Sequence, residues 1–150
     1  MCAIMLALTF GHALSPRPGQ LLSIMHPSSP IKCTVCKVLS CPGNALHKNA
    51  RGQWVITSSH HKNSGKTGQP IPTLTIDAEE PLSKLLSFYV GIAFPIWRSG
   101  SVCSDVDAAQ QWHLFLDQDG GPFSLAGWRS LFKAMCMAVS GVAMTPMLAR

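Results

Sequence analysis

Between Asp77 and Pro95 the apolar residues Leu82, Leu85, Leu86, Tyr89, Val90, Ala93 and Phe94 recur at spacings of three and four, which predicts a helix with one face toward a core. Asp77 and Glu80 stand at cap and capping-box positions before it. Pro95 predicts its end, because proline has no amide hydrogen to donate and its ring crowds the preceding turn. The run "SDVDAAQQWHLFLD" predicts a second helix, with Ser104 and Asp107 at its start, Val106, Ala109, His113 and Leu116 on one side, and "DQDGGP" closing it. A third opens at Ser124 and carries Leu125, Trp128, Phe132, Met135 and Val139 along one side, with Arg129 and Lys133 directed elsewhere. Stripes at this spacing are ordinarily core, so the three helices are expected to form a small bundle. The functional alternative is a face for a protein partner built on Trp128, Phe132 and Met135.

The chain before Asp77 has another texture. Residues 11–50 are crowded with "SPRPGQ", "HPSSP" and "CPGN", which favour turns and extended backbone over regular elements. "GQWVITS" and "IPTLTID" have the β-branched and aromatic content of strands, with the polar stretch "SHHKNSGKTGQP" between them read as a loop. "CTVCKVLS" alternates too poorly to be a clear strand. The expected fold is therefore small α+β or mostly irregular, with an extended, loop-rich region over residues 1–76, a helical region over 77–150, and part of the chain disordered.

Charge sharpens this division. Residues 1–76 hold seven Lys and Arg and no acid, whereas 77–150 hold five basic and seven acidic residues, so +7 and −2 make up the chain's +5. Charged residues are only 13% of the 150, about half the usual share for a soluble domain. A young or barely selected reading frame would have such a composition. The acid-free arm could meet phosphate backbones, but its basic residues are never adjacent, and a clustered patch is what nucleic-acid binding needs.

One cluster carries candidate chemistry. Cys33, Cys36, Cys41 and His47 supply four ligands of the type zinc binds in a tetrahedron. Their span and opening spacing resemble a zinc knuckle of the retroviral nucleocapsid type. The last two ligands are in reversed order, and Lys37 stands where that family has glycine. The resemblance implies a zinc-stabilised nucleic-acid-binding module, with Lys32, Lys37, Lys48 and Arg51 on phosphates and Trp54 stacking on a base. The simpler reading is reduced or partly buried thiols with no cofactor.

Other motifs fail on their own chemistry. "NSGKTGQP" has His60 where a phosphate-binding loop needs its first glycine. "DQDGG" lacks the third acidic position and distal glutamate of a calcium loop. No nucleophile, base and orienting group share a motif, so no enzymatic activity is expected.

The uncharged runs after Lys84 and Lys133 are too short to span a bilayer. Residues 1–13 are signal-like, with an apolar run from Cys2 to Phe10 and small residues at Gly11 and Ala13, but lack a basic start, which favours a buried amino-terminal segment and, slightly, an intracellular location. The expectation is a small non-enzymatic protein that acts through a protein partner on its carboxy-terminal helices. The zinc module is the alternative, nucleic acid the less favoured partner.

Overall fold

A computed structural model describes residues 1–10, 17–29, 43–58, 73–100 and 112–144 of the chain. In order these form α1 (Cys2–Phe10), α2 (Pro18–Leu22), β1 (Asn44–Lys48), β2 (Trp54–Ser58), β3 (Thr73–Ile76), α3 (Pro81–Phe88), a π turn (Tyr89–Ala93), α4 (Phe94–Gly100) and α5 (Leu125–Ser140). The fold is mixed α+β, with a small three-stranded sheet and several helices.

The sheet is antiparallel in the order β1-β2-β3, with Leu46 opposite Ile56 and Trp54 opposite Ile76. The β1–β2 connection is dictated by Asn49, whose side-chain oxygen accepts from the Arg51 and Gln53 amides at 2.9 and 3.0 Å. Gly52 takes the positive φ of 74° that this turn requires. Beyond β1 the sheet is continued by single bridges: Met25 pairs with Ala45 and with His113, and Leu116 pairs with Pro122.

One core joins residues from both sides of Asp77. Ile4, Met5 and Leu8 of α1, Leu21 of α2, Leu46, Trp54 and Ile76 of the sheet, Leu86 of α3 and Trp128 and Phe132 of α5 all lie in it. The Trp54 indole N–H reaches across to α3 and donates to the Ser83 carbonyl at 3.2 Å and the Ser87 hydroxyl at 3.0 Å. That indole is thus buried, and the expectation that it stacks on a base is corrected: its ring fills the space between sheet and helix.

Three local expectations also change. Regular elements do occur within 11–50, since Pro18 sits in the first turn of α2, where its missing amide costs nothing, and β1 pairs with β2. Of the helix expected over 104–117, residues 101–111 lie outside the described residues. Residues 112–116 are not helical: His113 and Leu116 form single bridges with bends at Leu114 and Phe115 between them, the Leu114 amide donates to the Ile24 carbonyl at 2.8 Å, and Leu114, Phe115 and Leu116 are buried in succession. Finally, Pro95 does not end the helix begun at Pro81, which runs on to Gly100. α5, by contrast, opens as expected, with the Ser124 hydroxyl accepting from the Gly127 amide at 2.9 Å, and ends at Gly141 with φ 70°.

Candidate functional site

The helix from Pro81 to Gly100 owes its surface to the π turn. Leu82, Leu86 and Tyr89 are buried at spacings of four and three, and the next fully buried residue is Phe94, five further on. A straight α-helix in that phase would turn Ala93 and Ile96 inward and Phe94 away. The additional residue of the π turn reverses this. The Phe94 amide donates to Tyr89, five residues back, in place of Val90.

This exchange strands the Val90 carbonyl. Its α-helical donor is diverted, and its π-helical donor would be residue 95, a proline with no N–H. His26 fills the gap: its Nε2 lies 3.4 Å from the Val90 oxygen, while its Nδ1 accepts from the Ser28 amide at 3.2 Å. These partners assign the neutral ring with its proton on Nε2. The imidazole is buried and stacks on Phe94 with centroids 4.2 Å apart. Arg98 in turn lies 4.2 Å over the Trp112 ring.

On the outer side, Leu85, Phe88, Ile92 and Ile96 are 46, 57, 51 and 67% exposed. Their spacings of three, four and four make one stripe, about 16 Å long at 1.5 Å per residue. No charged residue lies between Lys84 and Arg98. Trp97 borders the stripe at its far end, and its indole N–H donates to the Asp117 carbonyl at 3.1 Å. Leu85 was expected on the core face, with Leu82 and Leu86; it belongs to this outer one.

The residues singled out from sequence lie elsewhere. Trp128 and Phe132 are buried with their rings tilted against each other at 5.8 Å, and Met135 is half-buried, so these residues of α5 meet the chain's own core. The Trp128 indole N–H has no partner among the described residues. His47 is exposed on β1, and Cys33, Cys36 and Cys41 lie outside the described residues. Among the described residues, no three His, Cys, Asp or Glu are grouped to hold a metal, and no helix is long and apolar enough to cross a membrane.

Asp117, Tyr89 and His113 bond main-chain groups. The Asp117 carboxylate accepts from the Asp119 and Gly121 amides at 3.0 and 2.8 Å, closing the "DQDGG" turn on itself. The Tyr89 hydroxyl donates to the Leu114 carbonyl at 2.8 Å, and burial pushes its pKa up to about 12. Burial lowers the His113 pKa below 6.5, an effect partly opposed by the Leu22 carbonyl 3.4 Å from Nδ1.

His113 makes stability depend on pH. The folded chain holds the neutral ring, whereas the unfolded chain takes up a proton near 6.5. The unfolded state therefore binds more protons below that value, and stability falls as pH drops through it. In urea unfolding between about pH 7.5 and about pH 5, His113→Asn should lose less stability than wild type. Parallel declines in the two proteins would assign the effect to other groups.

The chain matches no family model, no curated protein and no solved structure.

Proposed function

We propose that the protein is a non-enzymatic interaction module that engages another protein through the outer face of the Pro81–Gly100 helix. The observation that carries this reading is the exposed stripe of Leu85, Phe88, Ile92 and Ile96. Single exposed apolar side chains are ordinary on soluble proteins, but a contiguous, charge-free row of them marks a surface that another molecule covers. Helices are read by partners through such i, i+3, i+7 anchors. The non-catalytic part of the proposal is supported by His26, His113, Tyr89 and Asp117, each committed to main-chain groups.

Phe88→Glu with Ile92→Glu tests the site. Both side chains point to solvent, so helicity and melting temperature should stay within error of wild type. Emission from the apolar dye 8-anilinonaphthalene-1-sulfonate, bright with the folded wild type, should fall severalfold with the variant. Undiminished emission from a folded variant would remove this face from the proposal.

A further inference from the structure

The apolar stripe has acidic ends, and that selects its partner. Asp77, Glu79 and Glu80 precede the helix, and Glu79 and Asp77 are exposed. At the other end, the Trp97 contact brings the turn that carries Asp117 and Asp119 beside Trp97, the residue after Ile96. Five of the chain's seven carboxylates therefore bracket one helix in a protein of net charge +5. Two bases lie on the same helix. Lys84 is 3.5 Å from Glu79, and Arg98 is held over Trp112. Lys48 is on the sheet side, over the Trp54 ring. Among the described residues at the two ends, three carboxylates stand with Lys84 at one and two with Arg98 at the other, so acid exceeds base at both.

These charges disfavour two occupants. A second copy pairing through the same face would set Asp77–Glu80 against Asp117–Asp119 when antiparallel, and each cluster against itself when parallel; both arrangements oppose like charges. A membrane surface rich in anionic lipid would meet the same repulsion.

We propose that the stripe binds an amphipathic helical segment of another protein, with apolar side chains over about 16 Å and Lys or Arg at both ends. This rests on the interaction reading above and adds the chemistry of the partner. The apolar row supplies burial, and the terminal carboxylates select basic ends and set orientation-independent attraction, since both ends carry the same sign.

Titration calorimetry of the full chain with two synthetic peptides tests it. Both are capped and carry leucines at helical spacing; one has lysines at each end, the other glutamates. The lysine peptide should bind on the order of tenfold more tightly at low ionic strength, with the gap closing at high salt. Glu79→Lys with Asp119→Lys should abolish the preference, and Ile92→Glu should abolish binding of both peptides. Equal affinities would overturn the basic-partner inference and leave the apolar face standing. Binding of neither peptide, with dye emission insensitive to Ile92→Glu, would overturn both. Dimerisation abolished by Ile92→Glu, or cosedimentation with phosphatidylserine vesicles in preference to peptide, would assign the face to another occupant and overturn the inference.

Discussion

Phe94→Ala is expected to cost about 3–5 kcal/mol, while Ile96→Ala, two residues on, should change stability by no more than about 0.5 kcal/mol. The contrast follows from the π turn. Phe94 is fully buried between His26 and Tyr89, with ring centroids at 4.2 and 6.2 Å, whereas Ile96 is two-thirds exposed. A domain of this size is stable by about 5–15 kcal/mol in all, so the first variant should lose much of its urea midpoint. Similar losses in the two variants, or a larger one at Ile96, would mean that the helix winds straight through Tyr89–Ala93.

Removing residues 1–10 should be at least as damaging, at on the order of 5 kcal/mol. Ile4, Met5 and Leu8 of α1 are 3, 0 and 0% exposed and belong to the same core as Leu86 and Trp128. Thermal unfolding followed at 222 nm should lose its cooperative transition in the truncated chain, and Leu8→Ala alone should lower stability by about 2–5 kcal/mol. A truncated chain that melts cooperatively at the wild-type temperature would show that α1 is dispensable. Cys2–Phe10 also has the apolar character of a signal segment, and cleavage there would take these side chains out of the core.

The sequence reported its periodic elements and hid those made by long-range partners. α5 was legible because Ser124, the Trp128–Phe132 spacing and Gly141 all act within a few residues of one another. β2 and β3 were legible from "WVIT" and "TLTI", whose side chains suit a pleated, half-buried surface. β1 was not: Asn44–Lys48 contains no β-branched residue, and it is a strand because the Asn49 turn folds it back along β2. Residues 112–116 have helical spacing at His113 and Leu116, yet main-chain hydrogen bonds to Ile24 and His26 tie them to the 24–26 segment in place of a helix. The outer stripe was visible only as ambiguity. Leu85 and Leu86 both fit a helical face, and beyond Tyr89 the five-residue step to Phe94 decides that Phe94 is turned in and Ile96 out. His26 gave no local signal, since its role depends on a carbonyl 64 positions away.

Pro95 has a consequence for which winding the helix populates. In a straight helix its ring would press on the Gly91 carbonyl and leave that carbonyl without a donor, a penalty of about 3 kcal/mol. The π form lacks the Pro95 donor too, but there the carbonyl left over is that of Val90, which His26 Nε2 meets at 3.4 Å. Far from ending the helix, the proline favours the rotation that buries Phe94 and lines Ile96 up with Leu85, Phe88 and Ile92 on the outer side.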